Sequence, residues 1–234
     1  MKPIILCAAV VCLASESLRF ERNSVTPNHS GLLPFSMNIQ YIPQPVHLTM
    51  SNVTLKFCLQ QAYGLTEHQV FGPGWIKNAR YDVNATLPEG GQPQQVWPAF
   101  QAVLDEHFGL SLRRETKVMP IYALIVAKGG PKLHPSEDHV EKAGKSKADE
   151  GFSGTLDLRR VSMKEFCENL SRRTDRLVID ETGISGKFDI ALNYQQSSDR
   201  SGLSMFNAVQ RQLGLKLEPR SKLVDVLTVQ SAKR

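Results

Sequence analysis

The feature that most constrains the fold of this chain is an internal repeat. Three short motifs return in the same order about 105 to 108 residues later. They are VTLK at 53–56 and VSMK at 161–164, YDV at 81–83 and FDI at 188–190, and FGLSL at 108–112 and LGLKL at 213–217. Three matches in register indicate a duplicated unit of roughly 80–100 residues. The sequence therefore predicts two tandem repeated lobes rather than one large domain.

Each repeat carries two amphipathic helices. The first helix of each repeat has apolar residues at i, i+3, i+4 and i+7, and the second helix ends at a glycine, Gly109 or Gly214. The predicted buried stripes are Leu55, Cys58, Leu59 and Ala62; Phe100, Val103, Leu104 and Phe108; Met163, Phe166, Cys167 and Leu170; and Met205, Ala208, Val209 and Leu213.

Strands are predicted between and after these helices. Residues 80–87 and 187–194 alternate apolar with polar side chains, which is typical of a strand with one buried face. After the second helix of each lobe we predict a hairpin, formed by 110–115 with 121–127 and by 216–218 with 225–229. The predicted fold class is α+β, each lobe having two helices on a small mixed sheet.

The predicted domain boundaries follow from composition. Lys2, the apolar run 3–14 and the small residues Ala14, Ser15 and Ser17 indicate a signal peptide over 1–17. An uncleaved anchor or a buried strand is the alternative, although the run is shorter than the roughly 20 residues of a membrane-spanning helix. Residues 18–133 form the first lobe with an extended lead-in, 134–150 a flexible polar linker, and 151–234 the second lobe.

The predicted location is outside the cytoplasm, in the periplasm or beyond the cell, with no stable membrane insertion after signal cleavage. The 28 basic and 23 acidic residues are spread along the chain and give a net charge of +5. Nucleic-acid binding would need basic residues clustered with aromatic ones. We therefore expect no nucleic-acid partner.

Two cysteines, Cys58 and Cys167, remain after the signal peptide is removed, and both lie on predicted apolar stripes. A disulfide between the lobes is conceivable in an oxidising compartment. The favoured interpretation is that both are buried thiols that behave as small hydrophobic residues, with no disulfide.

The sequence contains no recognisable catalytic constellation. No histidine pair has the spacing of a zinc site, and no serine elbow, CxxC or phosphate-binding loop is present. We therefore expect no enzyme activity, no metal site and no cofactor. The weak binding candidates are Trp75, beside a glycine turn, and Asp82 and Asp189, which the repeat makes equivalent. A core position for Trp75, and solvent exposure or backbone capping for the two aspartates, are the favoured alternatives.

Several stretches resemble a soil-associated family of exported proteins of unknown function that is abundant in acidobacteria. They are FERNSVTPN at 20–28, NVTL at 52–55, GPGWI at 72–76, RYDVNA at 80–85, RETKVMPIYALIVAKGGPKL at 114–133, DETGISGKFD at 180–189 and QLGLKLE at 212–218. The layout of each lobe also resembles the short N-terminal domain of secretins and TonB-dependent receptors. These resemblances imply a location in the cell envelope and, for the second, a role in protein contacts.

Two functions of different class are therefore predicted. The first is a non-catalytic binding or sensing module of the cell envelope that contacts another envelope protein or a peptide through exposed sheet edges. The alternative is an enzyme of unrecognised type with its site between the lobes. Pairing of the lobes edge to edge would remove the surfaces that the first function needs.

Overall fold

The computed structural model describes residues 19–30, 35–41, 45–136, 154–194 and 204–233. The predicted signal peptide and most of the predicted linker lie outside these residues. Over the described ranges the chain forms four α-helices and eleven strands, so the predicted α+β class is confirmed. Within the same ranges, no helix combines the length and apolar character needed to cross a bilayer.

The elements alternate along the chain. The strands are β1 (Arg22–Pro27), β2 (Ser36–Gln40), β3 (His47–Thr54), β4 (Val70–Phe71), β5 (Arg80–Thr86), β6 (Ser111–Val126), β7 (His134–Pro135), β8 (Gly154–Val161), β9 (Leu177–Asp180), β10 (Phe188–Tyr194) and β11 (Leu215–Ser231). The helices are α1 (Leu55–Tyr63), α2 (Val96–Phe108), α3 (Met163–Ser171) and α4 (Met205–Leu213). The order β3-α1-β4-β5-α2-β6 therefore recurs as β8-α3-β9-β10-α4-β11.

The chain divides into two compact units. The first comprises the described residues within 1–63 and 77–110 together with Lys233, and the second comprises those within 64–76 and 111–232. These boundaries differ from those of the predicted lobes, because β4 and β6 belong to the second unit. The physical reason is strand pairing: β4 and β6 are both hydrogen-bonded to β11.

The first unit contains a four-stranded antiparallel sheet in the order β1-β5-β3-β2. Alternate residues of β5 are buried, as its sequence pattern predicts. The predicted stripes of α1 and α2 are also buried. The backbone N–H of Gly109, at φ 51°, donates to the carbonyl of Asp105 and ends α2 in the left-handed conformation that glycine tolerates.

The second unit contains two sheets over its described residues, in the orders β7-β10-β8 and β4-β11-β6-β9. The predicted stripes of α3 and α4 lie in one core with side chains of β8, β10 and β11. Gly214 ends α4 at φ 66°. A side chain is excluded there, because a Cβ atom on Gly214 would lie 2.1 Å from the carbonyl oxygen of Gly130.

The two predicted hairpins are wrong. β6 and β11 are each continuous, with 16 and 17 residues, and they pair antiparallel with each other from Ser111 opposite Ser231 to Val126 opposite Leu215. Strand character continues through the residues that we interpreted as turns, including Pro120 and Pro219. The partner of each strand lies about a hundred residues away in the sequence, and a local sequence pattern does not identify it.

Candidate functional site

Asp82 lies on β5 and fixes a bulge in the neighbouring strand β3. Its carboxylate accepts hydrogen bonds from the backbone N–H of Asn52 at 2.8 Å and from the side chain of Asn28 at 2.8 and 2.9 Å. Asn52 has a φ of 57° and lies where the β3–β5 register shifts, between Met50 and Val53. The carboxylate therefore stabilises a strained backbone position in the bulge.

Asp189 has the same role on β10. Its carboxylate accepts from the backbone N–H of Arg160 at 2.9 Å, and Arg160, in β8, has a φ of 52°. The pKa of Asp189 is lowered, chiefly by this backbone N–H; burial opposes the shift, and the side chains of Ser136 and Arg159 lower the pKa further. Both aspartates thus cap a backbone group in a bulge, which is one of the structural roles that the sequence suggested.

Trp75 lies in a short 3-10 turn, Gly74–Lys77, and is half-buried. The fully buried side chain of this turn is its neighbour Ile76, whose backbone N–H donates to the carbonyl of Pro73 at 3.1 Å. A Cβ atom on Gly72 would lie 2.8 Å from Ile76 Cδ1 and 2.9 Å from Val229 Cβ. The GPGWI motif is thus a packing turn in which Gly72 permits close approach.

Cys58 and Cys167 are both buried free thiols. Burial raises the pKa of Cys58 to about 12. Burial also raises the pKa of Cys167, and the carboxylates of Asp180 and Glu168 raise it further. Since the thiolate is the nucleophilic form, both groups are unreactive near neutral pH.

A cavity with a volume of about 580 Å³ lies in the second unit. Leu177 and Leu223 provide apolar lining, and Lys164, Glu168 and Asp180 provide charged lining. No group of three or more His, Cys, Asp or Glu side chains in the described parts of the chain could hold a metal ion. The cavity brings none of the three predicted site residues together.

The most exposed apolar row of the described first unit lies on β2 and the two residues that flank it, and we did not anticipate its exposure. Phe35, Met37 and Tyr41 are 59%, 39% and 45% exposed. Met37 lies opposite the buried Met50, and opposite residues of an antiparallel pair share a face. The row therefore continues the core face of the sheet beyond its buried part. Its sequence signal was the alternation FSMNIQY over 35–41.

β2 is also the last strand of its sheet. Among the described strands it pairs with β3 alone. The ring of Phe35 lies 5.2 Å from the ring of Phe57 on α1, so the row reaches the helix that covers this face. None of residues 35–41 carries a charge. β2 is therefore an apolar edge without the charged residues that usually prevent strand pairing.

Of three comparisons with known proteins, one gives a match. A search of curated proteins and a search of solved structures each found no significant match. The family model described as "Protein of unknown function (DUF3738)" matches residues 56–232, which is more than half of the chain. The chain therefore belongs to the DUF3738 family of proteins of unknown function.

Proposed function

We propose that this protein is an exported, non-catalytic binding module of the cell envelope, and that it binds a polypeptide at the outer edge of β2. The observation that carries the proposal is the uncharged, alternating row Phe35, Met37, Ile39 and Tyr41, three of whose members are exposed. A soluble protein rarely leaves such an edge uncovered without a function for it.

Strand addition supplies the physical mechanism. An extended segment that pairs with β2 gains main-chain hydrogen bonds, which provide affinity without regard to sequence. Selectivity comes from side chains on one face of the added strand, because only alternate residues of a strand point to the same face. Those side chains would pack beside Met37 and Ile39 and so extend the apolar row. They would also contact Phe35, whose ring lies beside that of Phe57.

Export and a duplicated architecture are part of the same proposal. The apolar N-terminal run supports export, and the resemblance of each half to the short N-terminal domain of secretins and TonB-dependent receptors supports a role in protein contacts. The tandem-lobe hypothesis is supported by equivalent positions. Leu55 and Met163 are the first residues of α1 and α3, and Leu104 and Val209 lie on α2 and α4.

The test selects peptides from a display library of random sequences on the purified protein and measures their affinity for two variants. Met37→Asp places a carboxylate in the apolar row, whereas Ser36→Asp places the same group on the opposite face of the same strand. We expect Met37→Asp to weaken binding by roughly tenfold or more, since it would bury a charge. The matched control Ser36→Asp should bind as the parent protein does.

The opposite result is equally clear. If the selected peptides bind Met37→Asp as tightly as the parent, and circular dichroism shows that the variant is folded, binding at the β2 edge is wrong. Proline scanning then adds a main-chain test. One of the variants Asn38→Pro and Ile39→Pro removes a backbone N–H that points away from β3, and that variant should keep the melting temperature of the parent. The same variant should lose peptide binding, because the outward N–H is the group that bonds to an added strand.

A further inference from the structure

We propose that the polypeptide bound at the β2 edge is a second copy of this chain, with β2 pairing antiparallel to the β2 of its partner. This inference rests on the proposed function and names the partner of the same site. It predicts a homodimer in which two four-stranded sheets become one continuous sheet of eight strands.

The sequence of β2 and its two neighbours is self-complementary about Asn38. Reading outward from Asn38 in FSMNIQY, Met37 corresponds to Ile39, Ser36 to Gln40, and Phe35 to Tyr41. In an antiparallel pair of two such strands centred on Asn38, every apolar residue therefore lies opposite an apolar residue. Every polar residue likewise lies opposite a polar one.

A two-fold axis at Asn38 follows from this register. Identical antiparallel strands are related by a two-fold axis, and the contact is isologous, so each copy uses the same surface. Because opposite residues share a face, the apolar rows of both copies lie on the same side of the joined sheet. A shift of the register by one residue would place apolar residues opposite polar ones and is disfavoured.

The distribution of charged residues along the chain permits two copies to pair at β2. The whole chain carries a net charge of +5, which opposes self-association in general. Residues 35–41 contain no Lys, Arg, Asp or Glu, so the paired strands bring no like charges together. The charge-free segment coincides with the apolar row.

The size of the contact predicts a weak dimer. Seven residues along one strand bury much less than the about 800 Å² per partner of a standard interface. Self-association is therefore expected to depend on protein concentration and on a few apolar side chains. Phe35, 59% exposed, and Tyr41, 45% exposed, lie opposite each other in this register and are the most exposed members of the apolar row.

The chain is expressed with its own N-terminus, and its sedimentation velocity is measured over a wide range of protein concentration. This measurement tests the inference. Asn38→Lys and Asn38→Asp each place like charges directly opposite each other at the two-fold axis. Each variant alone should dimerise roughly two- to fivefold more weakly than the parent. A mixture of the two variants should recover dimerisation, as heterodimers with opposite charges in contact.

Rescue by mixing depends on a two-fold register centred on residue 38, and a merely destabilised fold would not show it. A parent protein that is monomeric at every concentration, or a mixture no more dimeric than its components, overturns the inference. Peptide binding that is lost in Met37→Asp would still support the proposed function in that case. If Met37→Asp changes neither dimerisation nor peptide binding, both proposals are wrong.

Discussion

The four-stranded sheet of the first unit and the three-stranded sheet of the second unit are built around the same strand pair and differ at their edges. β5 pairs with β3, and β10 pairs with β8, and each pair contains one bulge whose left-handed residue is held by an aspartate of the central strand. On the other side of the central strand, Pro27 of β1 lies opposite Tyr81, and Pro135 of β7 lies opposite Phe188.

The difference lies at the outer strands. In the second unit β8 is the edge strand, and it carries the charged residues Asp157, Arg159 and Arg160, with an ion pair of 3.2 Å between Arg159 and Asp157. In the first unit β2 is added outside β3, and it is uncharged and apolar on one face. The two sheets share the bulged strand pair, whereas the unshared edge strand β2 is the surface at which we propose that a partner binds.

The largest expected effect tests whether the two halves depend equally on their second helices. Leu104 of α2 and Val209 of α4 are both fully buried. Leu104→Asp and Val209→Asp should each lower the free energy of unfolding by about 4 kcal/mol, because each buries an unpaired charge. Chemical denaturation measures this loss.

Gln210→Asp serves as the control for this pair, because Gln210 is exposed on α4. It should change the free energy of unfolding by less than about 0.5 kcal/mol. A Val209→Asp variant as stable as this control would show that α4 does not face the core of the second unit.

Removal of the bulge aspartates is expected to have a smaller effect. Asp82→Ala leaves the backbone N–H of Asn52 without its acceptor and should cost about 1–3 kcal/mol. Asp189→Ala should cost less, because its contacts with Arg160 and Arg159 are exposed to solvent. Thermal melts of the two variants measure the difference. Equal losses would mean that solvent exposure does not distinguish the two bulges.

A pH-dependent difference is expected between the N-termini of α1 and α3. Glu165 has a pKa lowered to about 2, first by the hydrogen bond from Lys187 and then by those from Ser162. The position equivalent to Glu165 in α1 is Phe57, where Thr54 caps the helix without a carboxylate. α3 therefore has a titratable cap that α1 lacks.

The folded-state pKa of Glu165 lies below its unfolded value of 4.5, so its stabilising effect is complete above pH 4.5 and is lost as the pH falls toward about 2. The Glu165→Gln variant should lose part of the acid dependence of the unfolding midpoint within this window. An unchanged pH profile for this variant would show that the cap does not contribute.

The smallest expected effect concerns the charged edge of the second unit. Arg159→Ala removes the exposed ion pairs with Asp157 and Asp189 and should change the free energy of unfolding by less than about 1 kcal/mol. It should leave both self-association and peptide binding unchanged. A change in either would show that β8 as well as β2 is a binding edge.

The sequence predicted the parts of this fold that depend on local pattern. The four buried stripes, the helix ends at Gly109 and Gly214, and the alternation of β5 follow from helix and strand periodicity and from glycine's left-handed conformation. The equivalence of Asp82 and Asp189 was also visible, because the repeat aligned them. Their bonds to left-handed bulge residues were not, since nothing in the sequence marks Arg160 as left-handed.

The remaining features depend on contacts that are distant in sequence. β6 is one continuous strand from Ser111 to Val126 because it pairs with β11 along its length. That partner lies about a hundred residues later in the sequence. Met37 is exposed on a strand at the edge of its sheet, and the alternation of β2 does not encode that edge position. The candidate site was therefore missed.

Amide hydrogen exchange of β2, followed residue by residue as protein concentration is raised, tests the central claim most directly. If β2 is the binding edge, alternate amides between residues 35 and 41 should gain protection as copies associate, and again when a selected peptide is added to dilute protein. The amides of β8 should not change. Protection that stays constant in β2, or that rises instead around the cavity lined by Leu177 and Leu223, would contradict the account.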